Sequence, residues 1–544
     1  MSNVKFNKNT FEKEIGKLTE EMQEKIALFG CPVENIDAED IELEIFPNRP
    51  DLLSYQGFKR SFLAFLGKRT GYKKYQLNKP EKDYEVIVDA SVKEVRPYTA
   101  CAIVRGLKLD DEKIKDIINI QEKLHITLGR KRKKLAIGVY PLEKINLPIH
   151  YKALEPDKIR FQPLESPREM SGLEILQRHP TGKEYAFLLA GKVKFPVFMD
   201  SKENILSMPP IINSESTGRV TEKTKDVFVE CSGFDFLVLE KCLNIIVTTL
   251  ADMGGKIYQM KVKDKIIPSL ETEKMKLSLE NTNKILGLEL NEKQIKQSLE
   301  KMGYNFDKGL VEIPPYRTDI LHEIDLIEDI AVGYGYENFV PEIPMIATIG
   351  KENPAETVKR KIAEVLIGLG LLEVSNYHLT KKDDLFSKMG INEKEEKGFI
   401  ELLDSKTDYT VLRKDLTHYI IKIMSENVDS EYPQKIFELG RVFNLENSEI
   451  IETERLSVGV SPGNFTDVKQ VLDYLGENLG IKFRVVEQKK VDSHFIVGRA
   501  GDVFLDDKKI GTIGEIHPKI LKNWKVKMPI SLFEIELKEI FEKF

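Results

Sequence analysis

Residues 314–338 restrict the fold more than any other stretch: Pro-Pro-Tyr-Arg-Thr-Asp-Ile-Leu-His-Glu-Ile-Asp-Leu-Ile-Glu-Asp-Ile-Ala-Val-Gly-Tyr-Gly-Tyr-Glu-Asn. The pair Pro314-Pro315 disfavours helix, and Asp319 is placed to cap one that starts after it. At about 100° per residue, Ile320, Ile324, Ile327, Ala331 and Tyr334 share one stripe, and Gly335 supplies the stop. The opposite face carries Asp325, Glu328 and Asp329, spaced i, i+3, i+4. Like charges at that spacing cost about 0.2–0.5 kcal/mol per pair, so a counter-charge is needed. Asp319, just ahead of the first turn, points at the same spot. Four oxygen donors with no His or Cys suit Mg²⁺ rather than zinc. The plainer reading is a solvated helix start that answers the macrodipole.

The order Arg-Thr-Asp, a short gap, Asp-Leu-Ile-Glu-Asp, then Gly-Tyr-Gly-Tyr closely resembles a signature of the phenylalanyl-tRNA synthetase beta-subunit family. That resemblance implies magnesium binding by Asp319, Asp325, Glu328 and Asp329.

At 544 residues the chain has room for about three or four domains. Its 41% hydrophobic and 31% charged content is ordinary for a soluble multi-domain protein. A net charge of −6 excludes a bulk nucleic-acid coat, so any RNA contact has to come from local basic patches. Cys31, Cys101, Cys231 and Cys242 are scattered without a CxxC pair, which argues against zinc and disulfide frameworks and fits a reducing compartment. The start, Met-Ser-Asn-Val-Lys-Phe, is no apolar signal segment, and no run approaches the ~20 apolar residues of a membrane span. A cytoplasmic chain without membrane contact is expected. There is no internal repeat and no low-complexity tract.

Residues 1–110 read as an N-terminal α/β module. Phe11, Ile15 and Leu18 mark a helix over residues 10–28, and alternating Ile41, Leu43 and Ile45 mark a strand. Phe58, Phe62 and Phe65 form the core stripe of the next helix, and residues 84–90 and 98–105 are further strands. Between strand and helix lies the turn Asn48-Arg49-Pro50-Asp51, a second match to the same family.

Residues 111–262 contain the densest basic run, Gly129-Arg-Lys-Arg-Lys-Lys134, either a solvated turn or a patch that neutralises phosphates. Strand-like Leu-Ala-Ile-Gly-Val-Tyr follows; here Tyr140-Pro141 stands where the family usually has His-Asp. Further on come His179-Pro-Thr-Gly182 and the polar block Asn213, Ser214, Glu215, Ser216, Thr217. By themselves these are a structural histidine and a loop with Asx or Ser/Thr turns. Together they resemble the family's editing domain, which implies hydrolysis of tyrosine wrongly attached to the phenylalanine tRNA. An apolar pocket rejects an added hydroxyl by only about a hundredfold, so a second site that hydrogen-bonds the phenol is needed. Glu215 is the phenol's partner by resemblance, while Asn213, Ser214, Ser216 and Thr217 are candidate donors to the oxyanion or orienting water. No Ser-His-Asp arrangement is present to make a covalent nucleophile.

Residues 268–345 carry a helix closed by Gly287 and a second helix opened by the capping box Asn291-Glu-Lys-Gln294 and closed by Gly303. Two short strands then flank Asp307-Lys-Gly309, a helix-wing pattern similar to nucleic-acid-binding and docking folds. Over residues 350–544, Asn353-Pro-Ala-Glu356 caps a helix that ends at Gly368 or Gly370. A strand is expected over 372–378, a helix from Leu412 and a strand over 435–443. This order resembles the antiparallel body of class II aminoacyl-tRNA synthetases, without the glycine-rich strand and ATP-holding arginine of active members. Arg413 and Arg441 read as ion-pair residues.

The fold class is therefore α+β and multi-domain: an N-terminal α/β module (1–110), an editing-like domain (111–262), a winged-helix-like module with acids (268–345) and a catalytically silent class II-like body (350–544). The chain is identified as a member of the archaeal or eukaryotic type of this family, the beta subunit of a phenylalanine–tRNA ligase. The resemblance implies an alpha-subunit partner in an (αβ)2 heterotetramer, tRNA(Phe) binding, ATP and Mg²⁺ use by the complex, and editing of Tyr-tRNA(Phe). The alternatives are a stand-alone deacylase of mischarged tRNA and a non-enzymatic nucleic-acid-binding protein.

Overall fold

Alternation with period two places Ile41, Leu43 and Ile45 in the core, on one face of the strand Asp40–Ile45. Ser2–Asn7 and Val33–Ile36 pair antiparallel on its two sides. Phe58 and Phe62, on helix Tyr55–Phe65, complete that core against Phe11 and Phe29. The computed structural model describes residues 2–544, which divide into one unit ending at Ile343 and a second, Pro344–Phe544. Two helices, Lys8–Glu14 and Glu20–Leu28, replace the single one expected over residues 10–28. Gly16 interrupts them at φ 148°, and Thr19 caps the second through the Met22 amide.

Two larger sheets follow in the first unit. One has the order Leu77–Asn78, Lys256–Tyr258, Tyr98–Arg105, Val227–Gly233, Leu135–Pro141. The other runs Ile212–Asn213, Ile205–Met208, Phe195–Met199, Ile149–Leu154, Glu85–Val88, Met260–Val262, Lys265–Ile267. The expected boundary at residue 110 is thus crossed by both sheets. Tyr98–Arg105 is apolar and buried on both faces from Thr99 to Val104, so it needs a neighbour on each side and finds both in the later segment.

The helix-wing reading agrees with the structure. Helix Leu279–Leu286 ends at left-handed Gly287, and Asn291 and Gln294 close a reciprocal capping box on helix Glu292–Lys301. Lys308 and Gly309, at φ 45° and 78°, turn the hairpin between Asn305–Asp307 and Leu310–Ile313. Glu273–Lys276 adds a third strand. The final helix is Glu323–Tyr334, and its cap is His322 rather than Asp319. Ile320 and Ile327 are buried as the stripe requires, but Ile324 is 44% exposed, because the buried face passes through Leu326, Ile327 and Ile330.

In the second unit a seven-stranded sheet has the order Leu372–Glu373, Gln434–Glu446, Glu449–Ser461, Ser531–Glu536, Lys508–Ile516, Phe495–Leu505, Phe483–Glu487, antiparallel except for its first pair. Helices Pro354–Gly368 and Phe465–Leu479 bury Ile362, Leu366, Leu472 and Leu475 in its core. The strand expected over 372–378 shrinks to two residues. The helix expected from Leu412 begins at Thr417, because Tyr409–Leu412 is recruited as a strand and Glu534 accepts the Leu416 and Thr417 amides. Arg413 and Arg441 are both ion-paired, the first to Glu438 at 2.6 Å and the second to Glu452 at 2.7 Å. Among the described residues no helix is long and apolar enough to cross a membrane.

Arg413 and Glu438 are both wholly enclosed, with side chains 2% and 1% exposed. Arg413→Met leaves a buried carboxylate without its partner and is expected to cost about 3–5 kcal/mol in urea unfolding followed through the second unit. Adding Glu438→Leu is expected to recover most of that loss; a single variant as stable as the parent would show the pair contributes nothing.

Candidate functional site

A cavity of about 780 Å³ opens beside helix Asp111–Ile126, strand Leu135–Pro141 and the loop that carries Pro209 to Val220. Ile114, Ile117, Ile118, Val139, Ile212 and Val220 make its apolar wall. Its polar lining includes Glu122, Arg132, His179, Asn213, Arg219 and Glu230.

The floor follows from strand pairing. Leu135–Pro141 runs antiparallel to Val227–Gly233, which sets Gly138 opposite Glu230. A Cβ at Gly138 would lie 2.2 Å from the Tyr140 oxygen, so glycine lets the Tyr140 ring fold back across it. The Tyr140 hydroxyl then reaches Ser207 Oγ at 2.8 Å, Asn213 Oδ1 at 3.3 Å and Glu230 Oε1 at 3.3 Å. Burial pushes the Glu230 carboxyl up to about 8, so it is mostly neutral at pH 7. Its Oε2 is buried without a hydrogen-bond partner.

The basic run forms one wall. Arg130, Lys131 and Arg132 are all left-handed, at φ 47°, 54° and 62°. This turns Arg132 inward to donate to Glu122 at 2.9 Å and to the Ile211 carbonyl at 2.8 Å, while its neighbours stay exposed. The Ile137 amide donates to His125 Nε2 at 2.8 Å, which leaves the ring proton on Nδ1 facing Glu122 at 3.2 Å. Burial depresses His125, while for Glu122 burial is outweighed by His125 and Arg132, which hold its carboxyl low.

Of the expected residues, His179 and Asn213 line the cavity; Ser214, Glu215, Ser216 and Thr217 do not. Ser214 and Ser216 hydroxyls pair at 3.0 Å, and Thr217 Oγ1 is buried without a partner. Glu215 is drawn away by Arg219, at 2.6 and 3.1 Å, and by the Glu165 amide at 2.9 Å. It therefore acts on the cavity only through those two lining residues. Glu122, Arg219 and Glu230 are lining groups that were not expected from the sequence. For Glu230 the available signal was a lone carboxylate in the otherwise uncharged run Val-Phe-Val-Glu-Cys-Ser-Gly.

The acids of residues 319–329 are arranged otherwise than expected. Arg317 Nη2 lies 2.7 Å from both Asp319 Oδ2 and Asp329 Oδ2. Tyr304 also donates to Asp329, and Asp325 accepts the Leu321 and His322 amides at 2.8 Å. Burial would raise the Asp319 carboxyl, but Arg317 holds it low; burial and then Asp329, Asp325 and Asp319 push Glu328 up. Among the described residues no three His, Cys, Asp or Glu side chains are gathered to hold a metal. The counter-charge for Asp319 and Asp329 is a buried guanidinium.

Two family models match the chain: the tRNA synthetase B5 domain over residues 275–336 and the phenylalanyl tRNA synthetase beta chain CLM domain over residues 340–537. The phenylalanine–tRNA ligase beta subunit of Archaeoglobus fulgidus is 38% identical over 540 residues, covering 98% of this chain and 97% of its own. That of Thermococcus sibiricus is 39% identical over 508 residues, covering 91% and 90%. A solved N-terminal fragment of the phenylalanyl-tRNA synthetase beta-subunit from Pyrococcus horikoshii matches with a TM-score of 0.58 at 38% identity, over 61% of this chain and 99% of the fragment. On identity of this level along nearly its whole length, the chain belongs to the phenylalanine–tRNA ligase beta-subunit family.

Proposed function

We propose that the cavity above helix Asp111–Ile126 is a hydrolytic editing site that releases tyrosine from tRNA(Phe), in a subunit whose alpha partner carries out aminoacylation. Family membership makes the chain the beta subunit of an aminoacyl-tRNA ligase. It works in an (αβ)2 complex that binds tRNA(Phe) and draws on ATP and Mg²⁺ for its synthetic step.

The observation that carries the editing reading is Glu230, a buried carboxyl with one orphaned oxygen at the base of a largely apolar cavity. A tyrosyl phenol satisfies that oxygen; a phenylalanyl ring leaves it unpaired, at a cost of about 1–3 kcal/mol. The preference of an apolar synthetic pocket is thereby reversed. Water activation falls to His179. Its Nε2 lies 3.2 Å from the Leu164 carbonyl and donates to it, which leaves Nδ1, buried and without a partner, free to take a proton from water. Asn213, with Oδ1 turned to Tyr140, offers its amide to the developing oxyanion.

Glu230→Leu is expected to slow hydrolysis of Tyr-tRNA(Phe) by the complex by about 10-fold or more while hydrolysis of Phe-tRNA(Phe) does not fall. Unaltered selectivity would remove Glu230 from the site. The same carboxyl carries a stability signature. Its folded value of about 8 lies above the ordinary 4.5, so the folded state holds the proton across that interval and stability falls as pH rises through it. Glu230→Gln, which cannot ionise, is expected to gain on the parent in thermal melts from pH 5 to 8 and to hold a constant lead above that; parallel profiles would refute it.

A further inference from the structure

A smaller cavity of about 260 Å³ adjoins the first: Pro210 lines both, and Lys133, on its wall, follows Arg132 on the wall of the larger one. Its lining includes Arg96, Lys133, Phe187 and Phe234. The two phenylalanines are 52% and 51% exposed, unusual for rings with no polar atom to hydrate. Each carries a cation: Lys133 Nζ is 5.9 Å from the Phe187 centroid, and the Arg96 guanidinium is 5.3 Å from that of Phe234.

Arg96 is 3% exposed, and Nε and Nη2 donate only to Ser232, at 3.2 and 2.7 Å. Among the described residues it makes no ion pair; nor does Lys133. A buried guanidinium without a carboxylate is costly, and elsewhere in this chain buried arginines such as Arg317 and Arg413 have one. The missing anion and the half-exposed rings call for a single ligand that supplies both a negative charge and a flat ring.

We infer that this cavity seats an unpaired nucleotide of the RNA substrate, with its base against Phe187 and Phe234 and its phosphate on Lys133 and Arg96. The inference rests on the editing reading of the larger cavity, since the nucleotide seated here adjoins the one bearing the amino acid. Phe187, Phe234, Lys133 and Arg96 are then positioning residues for the 3′ end. They contribute stacking, which tolerates any base, and charge, which depends on salt.

The test uses the full chain in complex with its alpha subunit, with Phe187→Leu and Lys133→Glu, both at exposed positions. Three probes are applied: a fluorescently labelled single-stranded RNA tetranucleotide with the tRNA 3′ sequence, Tyr-tRNA(Phe), and 3′-tyrosyl-adenosine, which lacks the preceding nucleotide. Each variant is expected to bind the tetranucleotide about tenfold more weakly, a loss within the range of one stacked base, and Lys133→Glu also to flatten the salt dependence. KM for Tyr-tRNA(Phe) is expected to rise by about the same factor with kcat held, and tyrosyl-adenosine hydrolysis to stay unchanged. Equal tetranucleotide affinity in parent and variants, or no binding by the parent, overturns the subsite. If the parent hydrolyses neither ester, the editing reading fails and the tetranucleotide titration still decides the subsite.

Discussion

The antiparallel pairing of Leu135–Pro141 with Val227–Gly233 is the constraint on which the site depends. It brings two segments some ninety positions apart into one register, with Gly138 facing Glu230 and Phe228 facing Tyr140. Because side chains alternate faces along a strand, Gly138, Tyr140 and Glu230 share one face, and a one-residue slip would separate Tyr140 from Glu230. Tyr98–Arg105 on the far side of Val227–Gly233 and the buried length of helix Phe236–Asp252 hold that register. The cavity is thus a consequence of sheet order.

Buried arginines form the second theme. Arg49 clasps Asp51 with two hydrogen bonds of 2.9 Å, Arg317 clasps Asp319 at 2.8 and 2.7 Å, and Arg413 holds Glu438 at 2.6 Å. A planar guanidinium suits this role, since its fork of donors matches a carboxylate and the charge is not lost on burial. At Arg317 the effect reaches further: one cation serves Asp319 and Asp329 and relieves the repulsion that the spacing of acids on helix Glu323–Tyr334 creates. Glu328, outside that clasp, keeps a raised carboxyl. Arg96 is the contrast, a buried cation whose partners are all neutral.

Elements set by nearby residues were legible in advance. The strand over residues 98–105, the capping box at Asn291 and Gln294, the hairpin at Gly309 and the strand across 435–443 all stand where local pattern puts them. Where local pattern was overridden, a competing partner did it. Tyr409–Leu412 became a strand by pairing with Leu379–Lys381, and Asp319 left its expected capping position for Arg317. His179 and Asn213 line the cavity, whereas Glu215 turns to Arg219, four residues on.

The sequence by itself determined the periodic elements, their caps and turns, and, through motifs kept in order along nearly the whole chain, the family. These rest on interactions within a few residues, or on residue order itself. Only the tertiary structure decided that Glu230 reaches the cavity with Tyr140 hydrogen-bonded to it, that Arg317 is the acids' counter-charge and that Arg96 lies buried without an anion. The Glu230–Tyr140 contact depends on register between segments far apart in the chain, and the burial of Arg317 and Arg96 comes into being only when the chain packs.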